Sequence, residues 1–263
     1  MTTHTAASCR RGALISIEGV NGVGKTYLTK RLLPTLDEFD PLVLEEFSAR
    51  DGAGDLGRRL LTALKSTSKG DFFLRGGAPV AEALILASIK MIDLDQALPA
   101  LAEGRLVIEG RGLHTTAVYQ AAIQHPGNRL RSLAGARQLL SAFAAWRALP
   151  DLTILITDHP DAAIHRAEER EGNLTLRGAE RAIVHQVAWL YEQMGEDDPA
   201  RVKVLDRSIL DPDAAIAAMR AWIVALDSDS FSCVAAPLGP GAARVCTRRC
   251  GRVQTAYVMP EVG

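Results

Sequence analysis

The residues best suited to chemistry stand together near the N-terminus. Gly19-Val20-Asn21-Gly22-Val23-Gly24-Lys25-Thr26 fits the pattern G-x-x-x-x-G-K-[ST] without a gap. Glycines at these places let the backbone curl so that consecutive N–H groups face inward and bind phosphate oxygens. The loop opens a helical stretch, whose N-terminal dipole also favours anions. Lys25 suits the β- and γ-phosphates of a nucleoside triphosphate, and the Thr26 hydroxyl suits Mg²⁺. An apolar strand before the motif and a helical pattern after it argue against a chance glycine-rich turn. The loop binds a triphosphate but does not name an acceptor.

Other charged residues sit where such a loop would need them. Arg111 follows the third apolar run, and ligands collect at the carboxyl ends of parallel strands. Arg166 and Arg170 are spaced i, i+4 on one helix face, a spacing that serves a phosphate site or an ordinary solvated face. Glu18 ends the first strand beside the loop. It suits either Mg²⁺-bound water and the acceptor, or a structural pairing with a cation. Tyr119 by itself reads as core.

These residues need a scaffold, and the apolar pattern supplies one. Short apolar runs at Leu14–Glu18, Leu42–Glu46, Arg105–Glu109, Leu152–Ile156 and Val202–Leu205 read as strands. Between them, helical spacing covers Lys25 to about Leu36, Leu60–Lys65, Pro79–Glu103, Thr115–Gln124, Arg129–Ala148, Pro160–Glu171, Glu180–Met194 and Pro212–Leu226. Ser66–Gly77 reads as a polar loop, and Gly104 as a helix C-terminal cap. Continuous apolar strands alternating with helices predict a parallel sheet covered on both faces. The fold expected is a three-layer α/β/α P-loop fold with about five parallel strands.

Composition bounds the rest. In 263 residues, 48% are hydrophobic, enough for one large core. Thirty Lys+Arg balance 31 Asp+Glu, so no global basic field invites nucleic acid. No apolar run nears the ~20 residues of a membrane span, and residues 1–12 lack the apolar stretch of a signal peptide. Cys9, Cys233, Cys246 and Cys250 lie outside the main body and suggest no disulfide framework, which points to a reducing cytoplasm. Residues 1–12 read as a disordered N-terminus. Residues 227–263, rich in Gly, Pro, Ala and Ser, read as a low-order tail. Cys246-Thr-Arg-Arg-Cys250 has a spacing zinc tolerates, but the tail offers only Cys233 as a third ligand, so unpaired thiols are the expectation.

Ile15–Thr26 resembles the first strand and P-loop of the thymidylate kinase family. Further matches follow in the family's order: Glu82–Lys90 (EALILASIK) with its substrate-lining helix, Leu106–Gln120 (LVIEGRGLHTTAVYQ) with its third strand and Asp-Arg motif, Pro150–Arg170 with its fourth strand and the start of its LID, and Arg201–Asp206 with its last strand. The likeness spans about residues 13–226. It implies an ATP- and Mg²⁺-dependent nucleoside monophosphate kinase, with dTMP the first acceptor to consider and a homodimer possible. It further implies roles for Lys25, Arg111, Arg166 and Arg170 in catalysis. Glu18, Arg50, Lys90, Arg111, Tyr119 and Gln120 would bind substrate.

Three departures touch the acceptor side and the metal more than the ATP cradle. Gly110 stands at the family's Asp, Asn21 at a common P-loop Asp, and Lys90 at an Arg. Lysine keeps the charge and loses the bidentate fork. Residues 49–55 match the family's Arg-Glu-Pro-Gly-Gly loop only loosely. Two other readings therefore stay open: a kinase for a modified pyrimidine nucleotide, a nucleoside or another small phosphate ester, and a nucleotide-binding regulatory protein without turnover.

Overall fold

A computed structural model describes residues 11–44, 54–172 and 175–228. Arg50, the four cysteines and nearly all of both terminal segments lie outside the described residues. The elements run β1 (Leu14–Glu18), α1 (Lys25–Leu32), a 3₁₀ segment (Leu33–Phe39), β2 (Leu42–Leu44), α2 (Leu56–Ser68), α3 (Pro79–Ala102), β3 (Val107–Gly110), α4 (Leu113–Gln124), α5 (Arg129–Ala144), β4 (Leu152–Thr157), α6 (Pro160–Glu171), α7 (Gly178–Asp197), β5 (Val202–Asp206) and α8 (Pro212–Ser228).

All four strand pairings are parallel, in the order β2-β3-β1-β4-β5. The expected five-stranded parallel sheet is therefore present. β1 lies at its centre, so the loop that follows β1 opens at the middle of the sheet's carboxyl edge, where a ligand reaches both flanks. Pairing aligns Ser16 with Glu109 on one side and with Thr153 on the other. Strand alternation then puts Leu14, Ser16 and Glu18 on one face and Ile15 and Ile17 on the other. Helices α3, α4 and α7 lie on the first face, with α5 against α4 and α7, while α1 and α8 pack together.

Several boundaries differ from the sequence reading, each for a local reason. The first helix ends at Leu32 rather than near Leu36, because Pro34 has no amide for the carbonyl four residues back. α2 begins four residues early because Asp55 caps it, accepting from the Arg58 amide at 2.9 Å. It then runs to Ser68, into the stretch read as loop, and stops where Lys69 and Gly70 turn left-handed. Gly104, at φ 85, follows α3 as expected. Arg11 and Gly12 are tied down, the first to Asp151 at 3.2 Å and the second to the Leu101 carbonyl at 2.7 Å.

Candidate active site

The phosphate loop occupies the space between β1 and α1. Gly24 caps α1 without a side-chain hydrogen bond, and no acidic residue stands in the first turn. The positive end of the helix is thus left to an anion. Lys25 is only 5% exposed. Its ammonium folds back on the loop, donating to the Gly19 carbonyl at 2.7 Å and the Val20 carbonyl at 2.8 Å. Thr26, the next residue, is exposed on the first turn of α1. A hydroxyl at this place suits a Mg²⁺ that accompanies bound phosphates.

Two arginines close on this loop from opposite sides. Arg166, from α6, donates its Nε to the Gly22 carbonyl at 2.9 Å, while its Nη2 pairs with Asp158. Arg111, in the β3–α4 turn, donates to the Asn21 carboxamide oxygen. Tyr119 reaches the same residue, its hydroxyl accepting from the Asn21 amide at 3.2 Å. The Tyr119 ring lies 5.9 Å from Phe73, whose own ring meets Phe72 edge-on at 5.1 Å. Burial, against the pull of Arg111, raises the Tyr119 phenol above its ordinary value, so it stays protonated at neutral pH.

The other predicted residues lie elsewhere. Arg170 is 55% exposed at the end of α6 and pairs with Glu171 at 2.8 Å. Lys90 is buried inside α3, with its ammonium 3.3 Å from Asp93. Gln120 is buried on α4. Glu18 is fully buried on the face covered by α4 and α7. Glu109, the neighbour of Gly110, follows strand alternation onto that same face. It pairs with Arg147 at 2.8 Å, both buried, and so supplies no carboxylate where the family has its Asp.

Two residues at the loop escaped the sequence reading. Asp158 follows β4 and fixes Arg166. Arg207 follows β5 and donates to the Val23 carbonyl at 3.0 Å, its guanidinium lying against Gly24. Both stand just past the carboxyl ends of strands, the positional signal that singled out Arg111.

Glu18 also sets how the site's support responds to acid. Burial opposes its charge, but His114 and the hydrogen bonds of Ser16, Thr115 and Gly112 outweigh it and lower its pKa from the ordinary 4.5. His114 is lowered from 6.5 by burial, against the pull of Glu18 and Glu109. Both groups therefore take up protons more readily in the unfolded chain than in the folded one, so acid favours unfolding. Melting temperature should hold above about pH 6.5 and fall as pH drops below it, with Glu18 adding to the loss below about pH 4.5. His114→Gln should flatten the slope between about pH 6.5 and 5. An unchanged slope in that variant would take the upper part of the acid sensitivity away from His114.

Comparison with known proteins identifies the family. The family profile described as thymidylate kinase matches residues 17–210. A probable thymidylate kinase of Methanoculleus marisnigri is 30% identical over 194 residues, covering 73% of this chain and 85% of that one. A thymidylate kinase of Caldanaerobacter subterraneus subsp. tengcongensis is 29% identical over 199 residues, covering 74% and 88%. Among solved structures, the thymidylate kinase of Candida albicans superposes with a TM-score of 0.60 at 17% identity, over 82% of this chain and 93% of that one. That likeness shows the fold. The profile spans well over half of the sequence, through the P-loop, the Arg111 turn and the Arg166 helix, and the chain belongs to the thymidylate kinase family.

Proposed function

We propose that the protein transfers the γ-phosphoryl group of ATP to the 5′-phosphate of dTMP, giving dTDP and ADP. The observation that carries this reading is the convergence of Lys25, Arg111 and Arg166 on one loop, with Arg111 on Asn21 and Arg166 on Gly22. Phosphoryl transfer asks for positioning and for neutralisation of spread negative charge more than for covalent help. An oxygen of the dTMP phosphate forms the new P–O bond, the bond between the γ-phosphorus and the bridging oxygen breaks, and ADP leaves with that electron pair. Mg²⁺, held beside Thr26, would neutralise charge on the β- and γ-phosphate oxygens.

The chain's own residues do the rest. The loop amides hold the donor phosphates. Lys25 exchanges its two carbonyl partners for phosphate oxygens, and being nearly buried it acts in a low-dielectric setting. Arg111 sits at the acceptor side of the loop and suits a bridge between the two phosphates. Arg166, oriented by Asp158, suits the transferring group. Arg170, one turn further along α6, would reach the donor only if that helix end closed over it. Glu18, Lys90 and Gln120 bear on the acceptor from within the walls, and Arg50 completes the acceptor set by resemblance. The family resemblance also supports a homodimer. No helix among the described residues is long and apolar enough to cross a membrane.

Lys90 in place of the family's Arg keeps the charge without the bidentate fork, which supports a second reading with a different acceptor. ADP release from Mg·ATP, across nucleosides and nucleoside monophosphates including dTMP, tests both. Strong stimulation by dTMP alone supports the first reading. Stimulation by another member assigns a different acceptor, and silence across the panel would leave a nucleotide-binding protein without turnover.

A further inference from the structure

We infer that Glu18 is a positioning residue that holds the Arg111–Gly112 turn against the end of β1, and that it acts on the acceptor phosphate through Arg111 rather than by touching substrate. The inference rests on the proposed phosphoryl transfer to a monophosphate.

The argument begins with the Arg111 backbone. Its φ is 60, in the left-handed region that residues bearing a side chain rarely enter. Such a conformation persists only where its surroundings over-determine it. Two hydrogen bonds do so here, and both come from the end of β1. The Arg111 amide donates to the Ile17 carbonyl at 3.2 Å, and the Gly112 amide donates to Glu18 Oε1 at 2.8 Å. The turn that aims Arg111 at Asn21 is thereby hung on one backbone carbonyl and one carboxylate.

The carboxylate has no capacity left for a ligand. Glu18 Oε1 also accepts from Ser16 Oγ at 2.6 Å. Its Oε2 accepts from the Thr115 hydroxyl, and the Tyr191 hydroxyl stands 3.2 Å from the same oxygen. Tyr191 and Thr115 are themselves 2.7 Å apart. Burial raises the Tyr191 phenol well above its ordinary value and keeps it a donor. One side chain thus joins β1, α4 and α7 to the catalytic turn, while none of its surface meets solvent.

The fit around Gly112 shows how closely the turn is held. A Cβ at that residue would stand 2.5 Å from Glu109 Oε1 and 2.7 Å from Ser16 Oγ. Gly112 is thus packed against Glu109 and Ser16 while its amide is held by Glu18.

A double-mutant cycle tests the coupling. Glu18→Ala should lower kcat/KM for dTMP about 30-fold while leaving ATP affinity within about twofold, because the turn's bond to the donor loop is to the Asn21 side chain rather than to the amides that hold the donor phosphates. Glu18→Gln should recover most of that loss, since its carbonyl can still accept from Gly112 while the hydroxyls turn. In an Arg111→Ala background the same Glu18 substitutions should cost less than about twofold. NMR exchange of the Gly112 amide should speed by about tenfold or more in Glu18→Ala. If Glu18→Ala does not fold, Glu18→Gln and Tyr191→Phe run through the same cycle, with losses of a few fold in the wild-type background only. Additive losses with Arg111→Ala, equal damage to ATP affinity, or an unaltered Gly112 amide would each overturn the inference. Wild-type protein that fails to phosphorylate dTMP or any other monophosphate sinks the proposed function instead. In that case the exchange measurement still decides whether Glu18 holds the turn.

Discussion

Lys25→Ala should leave the fold intact and cut phosphoryl transfer by about 10³-fold or more. Removing one preorganised donor from a charged transition state costs about 10²–10³ in known cases. Here the donor also carries a full charge and is nearly buried. Arg111 and Arg166 cannot take its place, because Asn21, Asp158 and the Gly22 carbonyl hold them at the flanks of the loop. The fold should survive because the ammonium's bonds to the Gly19 and Val20 carbonyls lie within its own loop, each worth about 1–2 kcal/mol net. Steady-state turnover and a thermal melt on the same preparation separate the two effects. Turnover within tenfold of the parent would remove the loop lysine from the mechanism.

The lysine was legible because everything it needs is local. Its glycines, the strand before it and the helix after it lie within about a dozen residues, and short-range pattern reports such features well. The parallel sheet was legible for the same reason, since a strand buried on both faces reads as a continuous apolar run. Glu18 shows where local reading stops. From sequence it stands beside the loop and invites a role on the ligand. Its partners Thr115 and Tyr191 come from helices far along the chain, and only the packed structure shows that they occupy the carboxylate.

Arg166 and Arg170 make the same point in reverse. Helical spacing gives them one face and equal standing. Asp158, placed by the end of β4, draws Arg166 onto Gly22, while Arg170 turns to Glu171 and solvent. Lys90 is a middle case, because its partner Asp93 stands only three residues on in the same helix. That both would be buried depended on how α3 packs. Gly110 raises the sharper question of what replaces the family's carboxylate. Strand alternation already turned Glu109 away, and the structure places it against Arg147 on the far face. In the proposed reaction the acceptor side would therefore rely on Arg111, held by Asn21 and by the end of β1, without a carboxylate from Glu109.

Gly22→Ala should destabilise the protein by about 2–4 kcal/mol and weaken ATP binding by about 10²-fold. Gly22 lies at φ 79, where an added side chain is strained by itself. Its Cβ would also fall within bonding range of the Ala163 carbonyl oxygen, 2.9 Å from that carbonyl carbon and 3.0 Å from the Ala167 amide nitrogen. All of these atoms belong to the backbone of α6 and cannot rotate aside. The helix must retreat, and with it goes Arg166, whose Nε bonds the carbonyl of this same glycine. One methyl group would thus distort the phosphate loop and withdraw a cation from it. Gly24→Ala is the informative contrast. Gly24 has a similar φ of 98, but its Cβ meets the guanidinium of Arg207, the far end of a flexible side chain. That variant should lose about 1 kcal/mol from backbone strain, with a smaller effect on ATP affinity. Thermal melts and ATP titrations of the two variants side by side decide the matter. Equal losses would mean that strain in the loop, rather than the seat of α6 on Gly22, limits the site.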